Sequence, residues 1–321
     1  MAEVNCFWHA PVWRRLEAYL SQDRLPHALL LQGPAGIGKR RLALTLARRI
    51  LCEDGRACGR CPACRLLAGG NHPDLLTLAP EPGRPLTVDR IRELIETLTL
   101  TPQYGRGRVV VLEAADRMNP AAANAFLKTL EEPAPDTVIL LLCEQVSRLP
   151  ATIVSRCQRL PLIPPPRQEA EKWLVAQGFP APQAGLALAL NGGAPLAAKA
   201  WLEGDEPERR RRFLETLEAL LSGRRDPVVL AGEWQTEVPE RLSVWLLTVV
   251  ADLVRLGHGA GQGLVNVDCR ERLQDWAEKL DLNQVFGVWE RLLSWRRELQ
   301  SPLNQTLVLE SLFLEIHRLR P

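Results

Sequence analysis

The stretch ALLLQGPAGIGKR, residues 28–40, decides the fold. Its first five residues predict a short buried strand, and the run RRLALTLARRIL after the glycines places Leu42, Leu46 and Ile50 on one face of a helix. Glycines between a strand and a helix let backbone N–H groups close around phosphate oxygens, and the helix N-terminus adds a favourable dipole. Strand, glycine loop and helix in this order are the context that a phosphate loop requires.

The loop matches the pattern G-x-x-x-x-G-K at Gly33, Gly38 and Lys39, with Gly36 inside it. The next position should carry a serine or threonine hydroxyl for Mg²⁺, but it holds Arg40. Because a guanidinium has no lone pair to offer, it cannot bind the metal. We therefore expect a degenerate loop that could still bind ATP or ADP as a structural ligand; the alternative is a glycine turn without a ligand.

A second segment, VVVLEAADRM, points to the same loss of catalysis. After such an apolar strand, a phosphate-loop ATPase needs an aspartate for Mg²⁺, commonly followed by a glutamate that activates water. The strand here ends in Glu113, and Ala114 cannot take a proton. Asp116 lies two residues further on, where we expect it to cap a turn or face solvent. Two independent departures predict an ATPase fold that does not turn over ATP.

Four cysteines lie close together with the spacing C-x5-C-x2-C-x2-C, at Cys52, Cys58, Cys61 and Cys64. Four thiolates at these separations can close a tetrahedral site with Zn–S distances of about 2.3 Å, and a closed site would be structural. The N-terminus lacks a secretion signal, which predicts a cytoplasmic protein, where a metal site is favoured over disulfides. The alternatives are reduced free thiols or a small nucleic-acid-binding knuckle.

The rest of the chain predicts an α/β domain followed by helices. Further strands are expected at residues 74–78, 108–112, 137–143 and 158–162, and their alternation with helices indicates a mainly parallel sheet. PLIPPPR at 161–167 ends this pattern, and helical signals dominate after it. The predicted domains are 1–165 with the cysteine module at 52–64, a small helical domain at 166–206, and an all-helical domain at 207–321.

Composition excludes some classes of protein. The chain has 321 residues and a net charge of +2, whereas a dedicated nucleic-acid binder usually carries a larger basic excess. Apolar runs such as 138–143 are far shorter than the 20 or so residues that a membrane span needs. The basic run Arg209–Arg212 follows three acidic residues, so we interpret it as a solvated helix start with local ion pairs; a DNA contact is the alternative.

Several segments together resemble the AAA+ clamp-loader subunits of bacterial replicases. They are PHALLLQGPAGIGK, the four-cysteine insert, NHPDLLTLAPE, NAFLKTLEEPAPDTVILLLC and LPATIVSRCQRLPL. The resemblance covers residues 1 to about 165 strongly and the helical remainder more weakly. It implies an α/β P-loop AAA+ domain with a zinc module, then a small helical lid and an all-α collar.

The resemblance also implies a role. Motor subunits of this family (gamma/tau) keep an intact phosphate loop and an Asp-Glu pair, so Arg40 and Ala114 favour a subunit without ATPase activity of its own. Such a subunit joins motor and delta subunits in a pentamer that loads the sliding clamp onto primed DNA, within the DNA polymerase III holoenzyme of the bacterial, nucleoid-associated replisome. Structural zinc on the four cysteines belongs to this picture.

In this family the arginine of a Ser-Arg-Cys motif points into the neighbouring subunit's ATP site. That motif is Ser155-Arg156-Cys157 here, so the resemblance implies that Arg156 acts in trans and that Ser155, which we place at a helix start, positions the loop. A guanidinium supplied in this way stabilises charge that builds on the γ-phosphate. The competing interpretations are an ATP-hydrolysing motor subunit and a zinc-dependent DNA-binding protein.

Overall fold

The structure, a computed structural model, describes residues 6–81, 84–104, 106–298 and 305–319. It divides the chain into two compact units, residues 1–165 and 166–321. The first boundary coincides with the proline-rich stretch. The further division at 206/207 stays a prediction.

A parallel sheet forms the centre of the N-terminal unit. In the described part of this unit the strands are β1 Ala28–Gln32, β2 Leu75–Leu78, β3 Arg108–Leu112, β4 Thr137–Cys143 and β5 Gln158–Pro161. Their order is β2-β3-β4-β1-β5, and every neighbouring pair is parallel. The predicted α/β class with a parallel sheet is confirmed.

Helices connect and cover these strands. The helices of the unit are α1 Ala10–Ser21, α2 Lys39–Leu51, α3 Pro62–Ala68, α4 Val88–Thr99, α5 Pro120–Glu131 and α6 Ala151–Val154, and a 3₁₀ turn, Phe7–His9, precedes α1. Asn119 starts α5 by accepting a 2.8 Å hydrogen bond from the Ala122 N–H, while Thr87 precedes α4 without such a bond. Side-chain capping therefore fixes one of these two helix starts and not the other.

The central strands are apolar throughout because both faces of the sheet are covered. Residues 109–112 of β3 and 139–141 of β4 have no measurable exposure. Phe126 of α5 packs in the same core with Ile91 of α4 and Cys157. Burial raises the pKa of the Cys157 thiol to about 11, so this cysteine is neutral at physiological pH and serves packing.

The C-terminal unit is helical over its described residues. Its helices are α7 Arg167–Ala176, α8 Ala181–Leu190, α9 Pro195–Glu203, α10 Glu206–Leu221, α11 Pro227–Trp234, α12 Pro239–Gly257, α13 Arg270–Lys279, α14 Leu282–Glu298 and α15 Gln305–Arg318. The first three share one apolar cluster that contains Leu174 and Trp201. A second cluster, with Phe213, Trp245 and Phe313, joins the later helices.

The basic run on α10 is neutralised by its neighbours. Arg209, Arg210 and Arg211 form ion pairs, and Arg212 lies over the Trp234 ring at 5.3 Å. The partners are Asp205 and Glu237 for Arg209, Asp268 for Arg210, and Glu208 and Glu215 for Arg211. This pairing favours the interpretation as an ion-paired helix over a DNA-binding patch.

Among the residues that the structure describes, none of the helices combines the length and the apolar character needed to cross a bilayer.

Candidate functional site

The phosphate loop leaves the carboxyl end of β1 and enters α2. Gly36 and Gly38 have φ angles of 69° and 93°, a region that non-glycine residues rarely adopt. Gly33 donates to the Cys143 carbonyl at 3.1 Å, which ties the loop to the end of β4. Open parallel sheets bind ligands at the carboxyl ends of their strands, and this loop lies there.

The 3₁₀ turn Phe7–His9 also contacts the tip of the phosphate loop. Trp8 Nε1 donates to the Ile37 carbonyl at 2.9 Å, and His9 Nε2 lies 2.7 Å from the same oxygen. Burial lowers the pKa of His9, which favours the neutral ring. The 3₁₀ turn before α1 therefore braces the loop from outside the sheet.

Gly33 cannot carry a side chain without moving its surroundings. An added Cβ would lie 2.5 Å from the Leu162 carbonyl oxygen and 3.2 Å from Ile37 Cγ2. Gly33→Ala is therefore expected to destabilise the N-terminal unit by about 1–3 kcal/mol, the usual cost of overpacking. Thermal melting measures this.

Gly69→Ala is the matched control for that substitution. Its Cβ would meet the nearest atoms at 3.7 Å, an ordinary van der Waals distance, and Gly69 has a φ of −80°. It should leave the melting temperature unchanged or slightly raised. Equal effects of the two substitutions would contradict the proposed clash at Gly33.

Lys39 folds back onto the loop. Its Nζ donates to the Gly33 and Pro34 carbonyls at 2.7 and 3.0 Å and lies 3.8 Å from Glu144 Oε1. Burial lowers the pKa of this ammonium, while the carboxylates of Glu144 and Asp116 oppose that shift. The lysine is the group that would reach a bound phosphate.

Arg40, at the first altered motif position, contacts Glu113, the residue before the second altered position, Ala114. Arg40 Nε donates to Glu113 Oε1 at 2.7 Å. Ala114 follows with a φ of 47° and offers no base. Where a motor-type site would place a hydroxyl and a carboxylate around Mg²⁺, this chain has an internal ion pair.

Asp116 faces the turn after β4. Its Oδ2 accepts hydrogen bonds from the Glu144 and Gln145 N–H groups at 3.3 and 2.9 Å, while Oδ1 is buried without a hydrogen-bond partner. The expectation that it caps a turn agrees with these bonds. The residue is half-buried, with one carboxylate oxygen turned toward the end of the sheet.

The four clustered cysteines converge after α2. The sulfur atoms of Cys52, Cys58, Cys61 and Cys64 all lie within 4.8 Å of one another. A tetrahedron with Zn–S distances of about 2.3 Å needs sulfurs roughly 3.8 Å apart, which this arrangement allows. The cluster could hold a metal ion such as zinc, and the four cysteines are free of disulfides.

Backbone N–H groups surround these sulfurs. The N–H groups of Cys58, Cys61 and Cys64 point at the sulfurs of the preceding cysteines of the cluster, at 3.3, 3.4 and 3.4 Å. Such bonds favour thiolates, the form in which sulfur binds metal. Burial raises the pKa of Cys64 to about 12, so a metal must displace a proton from this thiol, and metal affinity should rise with pH. His72 is not among the converging ligands.

The Ser-Arg-Cys motif lies at the end of α6 and not at a helix start, contrary to the expectation for Ser155. The helix is a single turn, with Pro150 at its N-cap and Ser155 at its C-cap. Arg156 Nε donates to Glu131 Oε1 at 2.8 Å, and Nη2 bonds the same oxygen. Arg156 Nη1 also donates to the Thr152 carbonyl at 2.9 Å. The guanidinium is thus held by its own chain.

Arg156 and the phosphate loop lie at opposite ends of the parallel strands. Gln158 pairs with Leu29 in the parallel register, so Arg156 lies below the amino end of β1. Gly33 is four residues beyond Leu29, which is about 13 Å along the strand. The His27 ring is hydrogen-bonded to the Leu130 carbonyl at 3.0 Å, so the end of α5 also lies at the amino ends of the strands.

A parallel sheet with a phosphate loop after a central strand defines an α/β protein of the P-loop type, to which this chain adds a four-cysteine cluster. Residues 8–166 match the family described as DNA polymerase III, delta subunit, and residues 205–318 match the C-terminal part of a DNA polymerase III delta subunit family. The subunit delta' of Pseudomonas aeruginosa is 38% identical, covering 96% of both chains, and that of Escherichia coli is 36% identical, covering 98% of this chain and 96% of its own. The chain belongs to the DNA polymerase III delta' (delta-prime) family.

A solved structure, the DNA polymerase III gamma subunit-related protein of Thermotoga maritima, aligns with 95% of this chain and 99% of its own. The identity is 18% and the TM-score is 0.48.

The sequence did not predict three contacts that acidic residues make in these sites. Glu131 holds Arg156, Glu144 approaches Lys39, and Glu113 pairs with Arg40. A signal existed for the last of these, because Arg40 and Glu113, which carry opposite charges, both lie in the altered motifs. The TLEEP run contains Glu131 but does not indicate which basic side chain it contacts.

Proposed function

We propose that this chain is a non-hydrolysing subunit of a bacterial clamp loader. In this proposal it assembles with gamma/tau motor subunits and a delta subunit in the cytoplasm, takes part in loading the sliding clamp onto primed DNA, and lends Arg156 to a neighbour's ATP site. Membership of the delta-prime family supports the assembly.

The observation that carries the proposal is the separation of Arg156 from the chain's own phosphate loop. An arginine at the amino ends of the strands cannot contact a phosphate that is bound at the carboxyl ends of the same strands. Any phosphate that it stabilises must therefore come from another subunit. A cation supplied in trans also links the ATP state of a site to the contact between two subunits.

The second support is the pair of altered catalytic positions. Arg40 occupies the place of the metal-binding hydroxyl, and Ala114 the place of the carboxylate that activates water. Without the hydroxyl, the site lacks a ligand for the Mg²⁺ that neutralises a triphosphate. Without the carboxylate, it lacks the group that accepts a proton from water. In this proposal zinc on the four cysteines is structural.

Assembly and hydrolysis by the purified chain test this proposal. Native mass spectrometry of the chain mixed with gamma/tau and delta subunits is expected to show a complex that contains all three. The chain alone is expected to hydrolyse ATP no faster than its Lys39→Ala variant. Steady hydrolysis that Lys39→Ala abolishes would support a motor subunit, and failure to join the complex would reject the proposed role.

A further inference from the structure

Glu131 stands at an unfavourable place for a carboxylate. It is the last residue of α5, and Glu132 follows it as the C-cap. A negative side chain is destabilising at the C-terminal end of a helix, where the helix dipole is itself negative, and cations such as Lys128 are favoured there. Helix stability therefore does not account for Glu131, and its contact with Arg156 gives it a different role.

From this contact we propose that Glu131 is a positioning residue, which holds the guanidinium of Arg156 in the orientation in which it meets a neighbouring subunit's phosphate. The proposal deepens the trans role proposed above and rests on it. It assigns part of that role to a residue of another helix, outside the Ser-Arg-Cys motif.

The hydrogen bonds of Arg156 fix one edge of its guanidinium. Of the five N–H groups, Glu131 Oε1 accepts those of Nε, at 2.8 Å, and of Nη2, and the Thr152 carbonyl accepts one from Nη1 at 2.9 Å. The contact from Nη1 to Ser155 Oγ is 3.4 Å long and therefore weak. Glu131 thus holds the edge formed by Nε and Nη2, while the outer nitrogens, Nη1 and Nη2, face a phosphate with their other N–H groups.

Both sides of this contact are anchored in the same apolar core. Leu130, beside Glu131, and Ile153, three residues before Arg156, are at most 1% exposed and belong to one cluster. The Leu130 carbonyl is also hydrogen-bonded to the His27 ring. A side chain that is already ordered loses less conformational freedom when it binds, so these contacts preorganise Arg156.

The contact is also accessible from outside the chain. The side chain of Arg156 is 34% exposed and that of Glu131 is 47% exposed. Because an ion pair this exposed is weak in water, Glu131 orients Arg156 without withholding it from a phosphate. Planar, bidentate contacts to phosphate depend on the orientation of the guanidinium, which is the property that Glu131 controls.

Single-turnover ATP hydrolysis by the complex of this chain with gamma/tau and delta subunits tests the proposal. Glu131→Ala is expected to lower the maximal rate at the neighbouring site by about tenfold or more, because a catalytic group misplaced by 1 Å costs up to about 100-fold. The ATP concentration that gives half of this rate should change by less than about twofold, since Arg156 acts on charge that builds in the transition state. An unchanged or a faster rate would overturn the proposal.

Further variants separate positioning from a merely structural contribution. Glu131→Gln keeps an oxygen that accepts the Nε–H and should bring the rate to within about threefold of the parent, because only the charge of the acceptor is lost; a loss as large as that of Glu131→Ala would contradict positioning. In a chain that already carries Arg156→Ala, Glu131→Ala should cause no further loss. Additive losses would show that Glu131 acts without Arg156.

Glu132→Ala is the matched control, because it removes the adjacent exposed carboxylate. It should leave the rate unchanged, and equal losses in the two alanine variants would reject a specific role of Glu131.

The outcome can be distinguished from failure of the trans role. If Arg156→Ala leaves hydrolysis unchanged, the trans role itself is wrong. If Arg156→Ala abolishes hydrolysis at the neighbouring site while Glu131→Ala behaves like the parent, only the positioning role is wrong.

Discussion

Replacing Cys61 with serine is expected to abolish metal binding by the four-cysteine cluster and to lower the melting temperature of the N-terminal unit by roughly 10 °C. Structural zinc has an apparent binding free energy on the order of 10 kcal/mol in small domains. Losing about a third of that would shift melting by this amount, because 1 kcal/mol corresponds to roughly 2–4 °C in a domain of this size.

The cluster geometry explains why one ligand matters. Cys61 contributes a sulfur to the group of four, accepts the Cys64 N–H, and starts α3. A serine hydroxyl is a weaker ligand for zinc than a thiolate. The three remaining thiolates would also offer the zinc ion one negative charge fewer than four do. If the cluster holds zinc, the loop between α2 and α3 would then lose the cation that joins its two ends.

Metal content by mass spectrometry and melting by calorimetry measure the two effects together. Cys269→Ser is the matched control, because this half-buried cysteine lies in the other unit and outside the cluster. It should leave one metal ion per chain and the N-terminal transition unchanged. A Cys61→Ser variant that melts like the parent would contradict a structural metal.

The second large effect is expected from Arg156→Ala in the reconstituted complex. The chain should still fold and assemble, while ATP hydrolysis at the neighbouring site falls on the order of 10³-fold, as for other arginines supplied in trans. Single-turnover hydrolysis in the presence of primed DNA isolates that site. Unchanged hydrolysis would show that Arg156 does not act on the neighbour's phosphate.

Two controls separate charge, shape and fold. Glu131→Gln breaks the same internal ion pair but keeps the guanidinium, so a purely structural role of Arg156 would make both variants equally defective. Arg148→Ala removes an exposed arginine eight residues earlier and should have no effect. Arg156→Lys keeps the charge without the planar fork, and we expect it to restore only part of the rate.

The strands could be predicted from the sequence because a parallel sheet covered on both faces needs continuous apolar runs. Ala28–Gln32, Arg108–Leu112 and Thr137–Cys143 have the predicted bounds. The two edge strands differ by one residue at one end: β2 begins at Leu75, and β5 ends at Pro161. Pairing on one side only gives these strands a weaker sequence signal.

The contacts of the candidate site could not be predicted in the same way. Glu113 is 73 residues from Arg40, and Glu131 is 25 residues from Arg156. A local pattern indicates an element but does not specify which distant side chain a charged group meets. The two bonds from Trp8 and His9 to Ile37 depend on how the first turn packs, which no motif encodes.

The length of the strands has a consequence for how such a chain can evolve. Because the phosphate loop and Arg156 lie at opposite ends of the strands, a mutation that disables one leaves the other in place. If Arg156 acts in trans as proposed, a chain could therefore lose its own catalysis through changes at the phosphate loop and still contribute Arg156 to a neighbouring subunit.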